Sequence, residues 1–200
     1  MSSTTFVNYQ TVIDASWLND VNALTYDGTV QATTLSPNNL SVSGDTQLDG
    51  PVTTTSTLGI DGIASFGTYA NIKELFETAT VTAAAPASTS NFDVLTQAVR
   101  YFTVDADTDF TLNIRGNSGT TLNSILGTGQ SATIAVLVTN GSTAYYPSSI
   151  TIDGSSVTPK WLNGVTINSG NASSLDVYLL TILKTASATY TVLANQSTFA

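Results

Sequence analysis

Phe110-Thr111-Leu112-Asn113-Ile114 and, further along, Ala132-Thr133-Ile134-Ala135-Val136-Leu137-Val138 decide the class of fold. The first alternates apolar with polar residues, and the second is a short, mostly β-branched apolar run. A β-strand sends successive side chains to opposite faces, so period-two patterning marks a strand with one buried face. The longer run has the length of a buried strand and falls far short of the ~20 residues of a membrane-spanning helix. Residues 92–103, 149–152, 175–184 and 188–193 read as four further strands. Turn residues separate them at 116–119, 127–129, 140–142 and 153–154, at Pro159 and at Gly170. Short strands at this spacing predict an antiparallel β-sandwich over residues 71–200. Its expected core is Leu112, Ile114, Ile134, Val136, Val138, Ile150, Ile152, Val177, Leu179, Ile182, Tyr190 and Val192. Residues 71–77 fit one helical turn.

Upstream, residues 40–67 contain an echo in which Leu40, Val42, Gly44, Thr46 and Leu48 are answered by Leu58, Ile60, Gly62, Ala64 and Phe66. Alternation again indicates strands, but one small ribbon cannot bury its own apolar edge. Copies of this segment are therefore expected to pair between chains. Residues 31–70 become a short interchain β-repeat shaft built on Leu40, Val42, Leu48, Leu58, Ile60 and Phe66.

Residues 1–30 form a third segment. Asp14 suits an N-cap, and Trp17, Leu18, Val21 and Leu24 then share one face at helical spacing, which predicts a short helix over 15–25. An isolated helix of this length is marginal in water, so its apolar face must dock on something.

The chain has 200 residues, five Lys and Arg against fourteen Asp and Glu, and a formal net charge of -9. Lacking a basic cluster, it has no footprint for nucleic acid. No apolar run is long enough for membrane insertion. The absence of cysteine removes disulfides and thiolate metal sites, and the absence of histidine removes imidazole ligands and Ser-His-Asp catalysis. No cofactor is expected. Gly127-Thr128-Gly129 precedes β-branched residues, where a dinucleotide-binding loop needs a following helix.

Carboxylates remain. Asp105, Asp107 and Asp109 alternate and would share a face if extended, but an EF-hand loop starting at Asp105 would have Phe110 where Gly is needed and Gly116 where Glu is needed. Paired acids can also cleave glycosides. Asp105, Asp107, Asp109 and Glu77 are the candidates for that remote alternative. Tyr145, Tyr146 and Trp161 could present flat apolar faces for surface recognition of a sugar or protein, or else cap the sandwich core.

Residues 11–22, Thr11-Val12-Ile13-Asp14-Ala15-Ser16-Trp17-Leu18-Asn19-Asp20-Val21-Asn22, resemble the N-terminal part of tail-fibre and related virion proteins of tailed bacteriophages. The block from Phe110-Thr111-Leu112-Asn113-Ile114-Arg115-Gly116 through Thr143-Ala144-Tyr145-Tyr146, Val157-Thr158-Pro159-Lys160-Trp161 and Val192-Leu193-Ala194 is similar to a C-terminal domain of fibre-like proteins of marine and cyanobacterial phages. The resemblance implies a non-enzymatic homotrimer in the virion, anchored to other tail or capsid proteins through its N-terminal segment. It also implies an exposed C-terminal domain that contacts a host-surface glycan or protein. The shaft is short, at most ~95 Å if drawn out at about 3.3 Å per residue. That favours a stubby fibre, with a capsid decoration, head-fibre or tail-adaptor protein as the alternative.

Overall fold

The computed structural model describes residues 52–54, 58–60, 64–67 and 69–200. The chain divides into two units, Met1–Ser65 and Phe66–Ala200. The helix expected over 15–25, with Trp17, Leu18, Val21 and Leu24, lies outside the described residues. So do Leu40, Val42 and Leu48 of the expected shaft.

The expectation of a mostly β chain holds for the second unit. Ten strands follow in order: β1 Ala79–Thr82, β2 Thr89–Asp93, β3 Val99–Phe102, β4 Phe110–Arg115, β5 Ser131–Asn140, β6 Pro147–Ile152, β7 Ser155–Val157, β8 Lys160–Trp161, β9 Ser174–Ala186 and β10 Thr189–Phe199. A four-residue helix, α1 Leu122–Ile125, precedes β5. The strands form a six-stranded sheet of order β1-β3-β5-β9-β10-β8 and a four-stranded sheet of order β2-β4-β6-β7.

These sheets are mixed, which corrects the antiparallel sandwich. Successive strands from β1 to β6 alternate between the two sheets, so each lies parallel to the strand two before it. Only then does the chain turn back on itself, with β9 antiparallel to β5 and β10 antiparallel to β9. The physical reason is the crossing between sheets. Residues 92–103 are not one strand, because Thr96 and Gln97 donate to the Asp93 carbonyl at 2.9 and 3.3 Å and turn the chain from β2 in one sheet to β3 in the other. One hairpin does follow the simplest rule. Asp153 and Gly154 have φ of 50° and 80° and join β6 to β7 in two residues, the left-handed pair that matches strand twist.

The core lies between the sheets. Phe102, Ile134, Val136, Val138, Tyr178, Leu180, Ile182 and Val192 come from the larger sheet, and Phe92, Phe110, Leu112, Ile114, Ile150 and Ile152 from the smaller. Leu122 of α1 also enters it. Val177 and Leu179 do not, because the period of two that buries Ile182 also buries Tyr178 and Leu180 and turns odd-numbered residues of β9 outward. Tyr190 is half-buried against the core. Residues 71–77 form no helical turn and are exposed, including Phe76 at 92%. Among the described residues nothing covers them to offset the cost of nucleating a helix. β10 extends to Phe199, beyond the expected end at 193, because the polar tail Asn195-Gln196-Ser197-Thr198 pairs along β9.

Candidate functional site

The described surface is best understood from the charges that the fold takes inside. Asp176 is completely buried on the inner face of β9. Its Oδ2 accepts from Asn171 N at 2.8 Å, Asn140 Nδ2 at 3.1 Å and Gln196 Nε2 at 3.2 Å. Its Oδ1 accepts from Asn171 Nδ2 at 2.8 Å and Thr198 Oγ1 at 3.0 Å. A buried carboxylate is tolerated when donors satisfy its lone pairs, and here neutral amides and a hydroxyl do so. The knot joins the end of β5, the loop before β9 and the end of β10. Asn140 extends it, since its side chain also bridges Tyr145 N and Tyr145 O at 3.0 and 3.2 Å. Gly170 is required beside it, because a Cβ there would stand 2.3 Å from the Tyr145 carbonyl oxygen.

At the other end of β9, Lys184 donates to the carbonyls of Asn123 and Leu126 at 2.6 and 2.8 Å. These belong to α1 and its C-cap, where a cation complements the exposed carbonyls. The opposite end of α1 is held by Asp153, whose carboxylate accepts from Leu122 N at 2.7 Å and Asn123 N at 3.0 Å. Neither Asp176 nor Lys184 was singled out in the sequence, where charges in a strand suggest a solvent face. Tyr178 lies beside Asp176, and burial, then the Asp176 charge, pushes its phenol far above the ordinary range.

The three alternating acids occupy the loop between β3 and β4, all exposed, rather than one face of a strand. Asp109 accepts from Tyr146 N at 3.1 Å, and Asp105 abuts Gly141, where a Cβ would lie 2.6 Å from its Oδ2. Two of the three thus support loops. Glu77 is exposed before β1. Among the described residues, no group of three or more acids is placed to hold a metal ion, and no helix is long and apolar enough to cross a membrane.

Of the aromatic candidates, Tyr146 and Trp161 line one groove of about 230 Å³ with Pro147, Pro159, Ser149 and Thr158. Tyr145 does not line it. All three are half-buried and pack against the core, so each ring also closes an end of the sandwich. Trp161 borders a second groove of about 360 Å³, shared with Leu162, Leu179, Thr181 and Leu193. An aromatic wall beside hydroxyls can stack on and hydrogen-bond to a sugar ring or a peptide.

The outer face of the smaller sheet is polar throughout. Asn113 donates to Asn91 Oδ1 and accepts from Thr151 Oγ1, both at 2.8 Å, forming a side-chain ladder across β2, β4 and β6. Arg115 Nε donates to Asp93 Oδ1 at 2.6 Å beside it, and this bond holds the guanidinium pKa above its usual value. These groups satisfy one another and wet the face. Of the remaining candidates, Leu58, Ile60 and Phe66 are exposed, at 63%, 53% and 62%. Comparison with protein-family models, with curated proteins and with solved structures finds no match for this chain.

Proposed function

We propose that this chain is a non-enzymatic structural protein of a tailed-bacteriophage particle, a short homotrimeric fibre. Its N-terminal segment docks on tail or capsid proteins through Trp17, Leu18, Val21 and Leu24. A brief shaft over residues 31–70 joins chains, and the C-terminal β unit is the exposed head, with Tyr145, Tyr146 and Trp161 as its contact surface for host glycan or protein.

One observation carries this reading: apolar side chains stand in water in the chain that precedes β1. Leu58, Ile60, Phe66, Tyr69, Ile72, Leu75 and Phe76 are all more than half exposed in non-helical chain. Apolar area left in water forgoes about 25 cal/mol per Å², so such a stretch is suited to burial against sister copies. The resemblance of residues 11–22 supplies the docking role.

The test is incorporation. Particles assembled with Trp17→Ala and Leu18→Ala together should lack the chain by mass spectrometry, while the purified variant keeps the circular dichroism and unfolding profile of the parent. Normal incorporation would overturn the anchor. Copy number in parent particles decides the site of attachment, since a capsid decoration protein is present in many symmetric copies and a tail fibre in few.

A further inference from the structure

The larger sheet is inverted relative to an ordinary solvent-facing sheet. Its five main strands, β1, β3, β5, β9 and β10, contain three charged residues, Arg100, Asp176 and Lys184. All three lie on the inner face, and the short edge strand β8 adds one exposed charge, Lys160, beside Leu193 on the outer face. Arg100 reaches across to the Asn91 carbonyl of the other sheet and stacks on Phe102, with 4.7 Å between its Cζ and the ring centre. The outer face instead carries Val81, Tyr101, Leu137 and Val177 side by side in register, with Leu179 and Leu193 in the adjoining rows. Val81, Leu179 and Leu193 are 64%, 45% and 51% exposed.

We propose that this outer face packs against the same face of a second copy of the chain, so that the head self-associates independently of the shaft. Two features of this face select that occupant. The first is charge. The chain is acidic, with a formal net charge of -9, yet the outer residues of these five strands include none of its fourteen acids. The one charge on this face is Lys160 at the β8 edge, so like charges oppose each other only where two β8 edges coincide. The second is area. Strands of four, four, ten, thirteen and eleven residues, at about 3.3 Å per residue and about 4.8 Å apart, span roughly 650 Å² per copy, or about 1,300 Å² in total, above the ~1,000 Å² that a specific interface needs. The smaller sheet, with its satisfied Asn and Thr ladder, is left as the wet side.

The proposal stands apart from the trimer of the virion reading, since an isologous contact pairs two heads and cannot itself join three chains. Because the chain has no cysteine, a single Leu179→Cys substitution gives a unique reporter, with Thr111→Cys on the outer face of the smaller sheet as control. Purified full-length chains at micromolar concentration are treated with a short bifunctional maleimide. The Leu179→Cys chain should cross-link to itself at least ten-fold faster than the Thr111→Cys chain, and adding Leu193→Glu, at an already exposed site, should abolish that advantage without altering circular dichroism. Equal or slower cross-linking from Leu179→Cys overturns the proposal, whether the chain is then a monomer or an oligomer joined through other residues. A Leu179→Cys chain of monomer mass that resists a monofunctional maleimide also overturns it, by showing that the chain's own N-terminal unit covers the face.

Discussion

Replacing Asp176 by Asn tests the claim that one buried acceptor holds together three separate parts of the head. Asn conserves shape but exchanges an acceptor oxygen for an NH₂ group. Placed toward Oδ2, that group meets Asn140 Nδ2, Asn171 N and Gln196 Nε2, all donors. Placed toward Oδ1, it meets Asn171 Nδ2 and Thr198 Oγ1, and the hydroxyl can turn to accept. The second placement is cheaper and leaves one donor opposed, a loss of about 1–3 kcal/mol. The surviving bonds also change from charge-assisted to neutral, each weaker by roughly 1 kcal/mol, partly offset by lower desolvation of the neutral amide. The expected destabilisation is about 2–4 kcal/mol. With a urea m-value of roughly 2 kcal/mol/M, the unfolding midpoint should fall by about 1–2 M at fixed protein concentration. Asp176→Leu should cost more, since every donor then loses the carboxylate and Asn171 is left with no acceptor there, and the exposed-loop change Asp107→Asn should stay within about 0.5 kcal/mol. A midpoint for Asp176→Asn within about 0.3 M of the parent, at unchanged slope, would refute the argument.

Two further outcomes follow from the same strand. Lys184→Met keeps the apolar stem but strands the Asn123 and Leu126 carbonyls, so stability should drop by about 2–3 kcal/mol and the thermal midpoint by roughly 5–10 °C; an unchanged scanning-calorimetry trace would mean those carbonyls find other donors. Tyr178 is an acid whose folded pKa is raised by burial and by Asp176, so the native chain keeps a proton that the unfolded chain loses above about pH 10. Its contribution is therefore present below that pH and declines as pH rises beyond it, by up to ~1.4 kcal/mol per pH unit. Tyr190, raised by burial and then by Asp153, adds the same sign. Urea titrations between pH 9 and 11 should show a shallower decline for Tyr178→Phe, and identical slopes would reject the assignment.

How far the fold could be read depended on which physical signal each residue carried. Alternation in Phe110 to Ile114 located a buried face correctly, because Thr111 and Asn113 are polar and the two faces differ. Alternation in β9 failed to separate Val177 and Leu179 from Tyr178 and Leu180, because both faces of that strand are apolar. The only charged residues there, Asp176 and Lys184, lie on the inside, where loop amides and helix carbonyls receive them. Strand direction was not legible either, since a period of two is common to parallel and antiparallel ladders. A usable signal was present in the spacing: β1 to β4 begin at residues 79, 89, 99 and 110, the even step of a chain coiling between two sheets. At the candidate site, Tyr146 and Trp161 could be found from aromatics near Pro147 and Pro159, whereas the partners of Asp176 come from three separate places in the chain and leave no local pattern.

The placement of charge also bears on what the head can give up to a partner. Its inner layer is apolar in the middle and closed at both ends of β9 by polar knots, one receiving donors at Asp176 and one supplying a cation at Lys184. Neither knot uses an outer-face side chain of the larger sheet. Removing a Leu from that face therefore withdraws apolar area without leaving a buried donor or acceptor unpartnered, the costlier of the two losses. Stability and surface are thus carried by opposite faces of the same strands: even-numbered residues of β9 hold the fold, and odd-numbered ones are free to be apolar. A face under no demand from folding that still keeps Val177, Leu179 and Leu183 in a charge-poor row is most economically explained by contact with another surface.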